Sequence, residues 1–193
     1  MSAPATSAVI GELAQRHLDA GYNLGRWLLG NEHDAADAVH DAFVRALRSA
    51  HTFAGGNARA WWLAIVRNCC LAKLASRGRD ALHGATDVAQ ATEAPTTSAD
   101  DTEEQAEASQ RRALLVRSLR TLPVEFRETL VLREIEDLSY REIADVLGVP
   151  IGTVMSRLAR GRAQLQRALG ITMKGPGEPS GLPSLRGEVD HGL

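Results

Sequence analysis

Three stretches in the first eighty residues place apolar side chains every three or four positions, which gathers them on one face of a helix. The first runs from about Val9 to Leu29, with Ile10, Leu13, Ala14, Leu18 and Leu28 among its apolar positions. The second runs from about Glu32 to Ala50. Its apolar stripe is Ala35, Val39, Ala42, Phe43, Ala46 and Leu47, and Asp34, Asp37 and Asp41 lie outside it. The third, NARAWWLAIVRNCCLAKLA, runs from about Asn57 to Ala75 and follows the loop HTFAGG. Trp61 and Trp62 diverge by about 100° on a helix, which predicts one ring in the core and one near the surface.

The pattern returns after residue 110. In LRTLPVEFRETLVLREIEDLS, Phe126, Leu130, Val131 and Ile135 recur at helical spacing, and Pro123 suits a first turn. Ser139 and Glu142 then form an S-x-x-E capping box. The short helix Tyr140–Leu147 follows, with Ile143, Ala144 and Leu147 on one face. Gly148 supplies a left-handed stop, and Pro150 fits the first turn of a second helix. Helix, short turn and helix make a helix-turn-helix. On a wheel of the second helix, Ile151, Val154, Leu158 and Leu165 point together and are expected in the core. Gly152, Thr153, Ser156, Arg160 and Arg167 face the other way, with Arg157 beside them and Arg162 nearer the core margin. Small hydrogen-bonding residues at the start of such a helix permit close approach to a major groove, and arginines further along reach guanine or phosphate.

Charge changes the picture of the whole. The chain of 193 residues has a net charge of only -2. That total conceals +2 over residues 1–80, -7 over 81–110, +4 over 111–170 and -1 over 171–193. The acidic stretch is rich in Ala, Thr and Ser and lacks aromatics, a composition that buries too little apolar surface to offset ordering entropy. The tail GPGEPSGLPSLRGEVDHGL is broken by Pro and Gly throughout. The expected fold is therefore all-α, with two small helical domains. Residues 1–80 form the first, 81–109 a flexible acidic linker turning helical from about Thr102, 110–170 the second domain with the helix-turn-helix, and 171–193 a disordered tail.

Arg59, Arg67, Lys73, Arg77 and Arg79 make the end of the third helix basic. Basic side chains beside aromatics can hold single-stranded nucleic acid, although a purely structural role in the core is the other reading of the two tryptophans. The adjacent Cys69 and Cys70 fit neither a disulfide framework nor a zinc site and read as buried thiols. No apolar run spans a membrane, and MSAPATSAVIGEL lacks the basic start and apolar core of a secretion signal. The sequence holds no Gly-rich phosphate loop, no HExxH, no Gly-x-Ser-x-Gly and no histidine pair at metal spacing. Neither a catalytic residue, a metal nor a cofactor is expected.

Two stretches resemble the extracytoplasmic-function sigma factors, small two-domain bacterial transcription initiation factors. LPVEFRETLVLREIEDLSYREIADVLGVPIGTVMSRLARGRAQL is similar to their region 4, and DAADAVHDAFVRALRSAHTF with ARAWWLAIVRN is similar to region 2. Departures are Ala36 before Asp37, His40 in the place of Gln, Ala72 and Ala75 in the place of charged residues, and Met155 in the place of Lys or Arg.

The resemblance implies partners and roles. Asp37, Val39, His40, Asp41 and Phe43 would meet the β′ clamp helices of core RNA polymerase, and the second domain the β flap. His51, Phe53, Asn57, Arg59, Trp62, Arg67 and Asn68 would contact the minus-ten element of promoter DNA. Gly152, Thr153, Ser156, Arg157 and Arg160 would read the minus-thirty-five element. The acidic linker would thread toward the RNA path, and an anti-sigma factor would hold the protein inactive in the cytoplasm. The alternative is a polymerase-independent helix-turn-helix regulator with an N-terminal sensing domain.

Overall fold

The computed structural model describes residues 11–53, 55–82 and 103–170. Among these residues every regular element is helical. Residues 11–16 form α1, followed by α2 (Leu18–Leu29), α3 (Glu32–Arg48), a 3₁₀ turn (Ala50–Thr52) and α4 (Ala58–Leu82). Then come α5 (Glu103–Thr121), α6 (Val124–Leu130), a π-helical turn (Val131–Ile135), α7 (Tyr140–Leu147) and α8 (Ile151–Ala168). The flexible linker expected over residues 81–109 is helical at both ends, where α4 runs to Leu82 and α5 begins at Glu103; its residues 83–102, the tail of 171–193 and Ile10 lie outside the described residues.

The helix expected from Val9 to Leu29 is interrupted at His17, whose backbone N–H reaches Leu13 O and Ala14 O, both at 3.3 Å. The following Leu18 is exposed, not part of the apolar face. α2 stops at Gly30, which takes φ 87, a left-handed conformation that a side chain would strain. Asn31 caps α3 by accepting from the Asp34 N–H at 2.8 Å. The stripe of α3 is packed as its spacing requires: Ala35, Val39, Ala42 and Ala46 are buried, and Phe43 and Leu47 pack against the core from its edge.

α2, α3 and α4 form a three-helix body. Its helices approach closely because Gly25 of α2 sits against Ala35 of α3 and Gly21 of α2 sits under the Trp62 indole of α4. Trp62 is fully buried and donates from Nε1 to His17 O at 3.0 Å. Cys69 and Cys70, about two turns further along α4, are buried as free thiols.

The second body is built on α6 and α8. Gly161 of α8 lies against Leu130 and Phe126 of α6. Leu130, Val131, Leu138, Ile143, Val154, Leu158 and Leu165 fill its interior. The capping box forms: Ser139 Oγ accepts from the Glu142 N–H at 3.3 Å, and the Ser139 N–H donates to Glu142 Oε2 at 2.7 Å. Gly148 adopts φ 66 and ends α7. Pro150 stands just before α8 as its N-cap, with ψ 149, one step earlier than the first turn. Ile151 is exposed, which corrects its expected place in the core: it is the first residue of α8, and Val154 is the first of its apolar positions to be buried.

The two bodies are not held apart. α7 packs along α4, α6 packs on α2, and their buried apolar residues form one continuous cluster.

Candidate nucleic-acid interface

α8 presents the face that its wheel predicts. Gly152, Ser156 and Arg160 are exposed, Thr153 is half-buried, and Val154, Leu158 and Leu165 point inward. Ser156 Oγ donates to Thr153 O at 3.0 Å. Exposed Ile151 and Met155 flank the same first turns. Arg157 is different. Its side chain is 24% exposed and turns toward Glu128 of α6, with Nη1 3.5 Å from Glu128 Oε1. Arg162 pairs with Glu134 at 2.6 Å, on the flank.

α4 and the loop before it carry the other candidate surface. His51, Asn57 and Asn68 are exposed, and Phe53, Arg59 and Arg67 are half-buried. The Asn57 side chain accepts from the Ala60 N–H at 3.0 Å and so caps the start of α4. Trp62 does not belong to this surface: it is sealed between α2 and α4 and has no face to offer a base. The aromatic near the surface is Trp61, tilted against Phe53 with ring centroids 5.2 Å apart. The WW pair left open which ring faces out. The packing of Gly21 under Trp62 decides it.

α3 places Asp37, His40 and Asp41 in solvent, with Val39 buried and Phe43 half-buried behind them. Lys73 of α4 reaches Asp37 at 3.3 Å, and His33 lies 3.9 Å from the same carboxylate.

Three acids of the second body, absent from the sequence-based site, meet the α4 residues. Asn57 Nδ2 donates to Glu142 Oε1 at 2.5 Å. Arg59 Nη2 donates to Glu136 Oε2 at 2.5 Å. Arg67 donates to Glu128 twice, from Nε at 2.7 Å and Nη2 at 2.9 Å. Burial pushes the Glu136 carboxyl up from its ordinary value, and the Arg59 charge opposes that only in part. The Glu142 carboxyl is held low, first by the Ser139 hydroxyl and then by the Ser139 backbone. No sequence signal marks Glu128 or Glu136, because in the chain they read as ordinary polar positions and their partners Arg67 and Arg59 lie 61 and 77 residues away.

Comparison with known proteins fits this geometry. Residues 13–80 match Sigma-70 region 2, and residues 112–165 match Sigma-70 region 4. The chain is 38% identical over 156 residues to the ECF RNA polymerase sigma factor SigE of Mycolicibacterium smegmatis, covering 80% of this chain and 59% of that protein. It is 32% identical over 134 residues to the ECF RNA polymerase sigma-E factor of Escherichia coli K12, covering 67% of this chain and 70% of that protein. The chain belongs to the ECF sigma factor family.

Two solved structures share the sigma-factor fold. One is the sigma factor RpoE in complex with the anti-sigma factor NepR from Bartonella quintana, with a TM-score of 0.65 and 24% identity over 82% of this chain and 97% of that one. The other is CnrH in complex with the cytosolic domain of CnrY, with a TM-score of 0.59 and 25% identity over 87% of this chain and 94% of that one. In this ECF sigma factor, the region 2 match spans α2, α3 and α4 to residue 80, and the region 4 match spans α6, α7 and α8 to residue 165. The region 2 match also disfavours the alternative of a polymerase-independent regulator, whose first domain would be a sensor. Among the described residues no helix is long and apolar enough to cross a membrane.

Proposed function

We propose that this protein is a promoter-specificity subunit that directs core RNA polymerase to a set of promoters and does no chemistry of its own. The observation that carries the proposal is the region 4 match over residues 112–165, within which α7 and α8 form a capped helix-turn-helix with Gly152, Ser156 and Arg160 outward. In this reading Gly152 and Ser156 approach base edges of the minus-thirty-five element, Thr153 lies at the rim, and Arg160 takes base or phosphate. Arg157 acts from beneath.

Region 2 engages the minus-ten element through His51, Phe53, Asn57, Arg59, Arg67 and Asn68. Trp61 takes the stacking role that Trp62 cannot fill. Asp37, His40, Asp41 and Phe43 face the β′ clamp helices, region 4 meets the β flap, and Val39 supports that contact from the core. An anti-sigma factor is proposed as the inhibitory partner, the class of protein that holds RpoE in its complex with NepR. The site of action is the cytoplasm, on the nucleoid when active.

Run-off transcription with purified core polymerase, with and without this chain, tests the proposal. Defined start sites that appear only with the chain are expected. Their absence across genomic templates overturns it, and co-purification with core polymerase separates a sigma factor from an independent regulator.

A further inference from the structure

The exposed arc of α8 has two unlike edges. At about 100° per residue, Ile151 and Met155 share one edge, and Arg160 lies on the opposite one. Gly152, Ser156 and Ala159 fill the space between, and all six residues are exposed. Ile151 is 44% exposed and Met155 53%, two of the four exposed large apolar side chains among the described residues. The other two, Leu18 and Leu114, sit on α2 and α5. Two apolar side chains thus stand about one turn apart on one helix face, beside the residues assigned to DNA. The middle of the arc is shallow: a Cβ built on Gly152 meets no atom within 4 Å. The helix carries four arginines and no acid, so this face suits a polyanion better than an apolar protein surface.

Ser156 adds a second observation. Its hydroxyl donates to Thr153 O at 3.0 Å. The proton is spent inside the helix, and the oxygen offers DNA lone pairs only. It suits the amino group of adenine or cytosine and gives nothing to thymine O4, which needs a donor. Polar readout from Ser156 is therefore blind to thymine itself. The major groove displays one apolar group, the thymine 5-methyl, and a phosphate gives an apolar side chain nothing.

We propose that Ile151 and Met155 form an apolar edge that reads thymine 5-methyl groups in the minus-thirty-five element, which makes them specificity-determining residues beside Gly152, Ser156 and Arg160. The inference rests on the assignment of α8 to that element. An A·T pair offers an amino group and a methyl on one groove edge, so Ser156 and the apolar edge favour the same pair. Methionine suits the task, because its unbranched thioether adapts to the shape it meets. A cation at position 155 would attract phosphate at any sequence. Met155 gives up that attraction and gains a methyl contact.

The test uses holoenzyme reconstituted from core polymerase and the full chain, on promoter fragments whose start sites it selects in run-off transcription. Footprinting marks the upstream element. Each thymine of that element is replaced in turn by deoxyuridine, which lacks the 5-methyl and keeps O4 and the pairing edge, and binding is read by competition. Replacing a contacted thymine is expected to weaken wild-type binding about three- to fivefold per methyl. Ile151→Ala/Met155→Ala is expected to bind the thymine fragment as weakly as the wild type binds the deoxyuridine fragment, with no difference left between the two. Both side chains are exposed, so the melting temperature is expected to stay unchanged. Met155→Arg tests the same edge in the opposite sense. It is expected to bind every fragment more tightly at low salt, with a steeper salt dependence and a smaller methyl effect.

A protected element in which no deoxyuridine replacement weakens binding overturns the inference and leaves the sigma-factor reading standing. A methyl effect that survives undiminished in the double variant overturns it too, because another group then does the reading. Uniform loss of transcription in the double variant, without any methyl effect, assigns the edge to a protein contact instead. Absence of any protected upstream element sinks the sigma-factor reading, and the inference with it.

Discussion

Arg157 Nη1 lies 3.5 Å from Glu128 Oε1, beneath the exposed face of the recognition helix α8, and the Glu128 side chain is 2% exposed. Under the proposed function this ion pair gives Arg157 a positioning role on α6, beneath the outward Ser156 and Arg160.

Arg157→Ala is therefore expected to lower stability first. Losing this contact is expected to cost about 1–3 kcal/mol, because Arg67 still holds Glu128 and no buried charge is left unpaired. Promoter and random duplex should lose affinity together. A loss confined to one promoter sequence, with an unchanged melting temperature, would return Arg157 to the base-reading set.

Gly21 has no room for a methyl group. A Cβ there would stand 2.8 Å from Trp62 Nε1, and the ring is pinned by its bond to His17 O. Gly21→Ala is expected to destabilise the first body by about 1–3 kcal/mol, and Trp62→Ala by about 3–5 kcal/mol. Denaturant midpoints with unchanged slopes check both values. A neutral Gly21→Ala would mean that α2 and α4 part more easily than their packing indicates.

The pH dependence of stability at Glu136 has a definite sign. Glu136 holds its proton more tightly in the folded protein, because burial raises its carboxyl above the ordinary value. Its contribution therefore favours the packed form at low pH and fades as pH rises from the unfolded value through the raised, folded value. The groups facing it are Arg59 on α4, Asp19 and Asn23 on α2, and Arg16 and His17 before them. His17 works the other way: burial first, then Arg59 and Arg16, lowers its value, so protonation there opposes the packed form. Glu136→Gln isolates the acid. The difference in melting temperature between wild type and variant should shrink on acidification. A difference that grows on acidification contradicts the assignment.

Cys70 is pushed up to about 12 by burial and then by the neighbouring Cys69, and burial also raises Cys69. A thiol held protonated is a poor nucleophile. Neither cysteine should react with iodoacetamide in the native protein at neutral pH, and both should react after denaturation. Rapid native labelling of Cys70 would show that α4 opens locally.

Much of the architecture was legible because its signals are local. The stripe of α3, the Ser139–Glu142 box, the Gly148 stop and the outward Ser156 and Arg160 each depend on residues a few positions apart, so the chain itself specifies them. Errors arose where a neighbour decided. Ile151 shares the apolar phase of Val154, but as the first residue of α8 it stays exposed while Val154 is buried. Leu18 opens α2 about 80° away from Leu28 on the helix wheel, off the face that buries Leu24 and Leu28, and stays exposed. Trp62 falls in the minus-ten set by its place in a motif, but Gly21 of α2 and the His17 carbonyl before it hold the ring inside.

Helix periods, caps and the basic face of α8 were determined by sequence alone, because each arises from spacing along one backbone. The pairing of Arg67 with Glu128, of Arg59 with Glu136 and of Arg120 with the end of α2 was decided only by tertiary structure. Those groups lie far apart in the chain, and charge has no periodicity that names its partner. Whether an arginine waits for DNA or already holds a carboxylate depends on which surface is brought within a few ångströms of it.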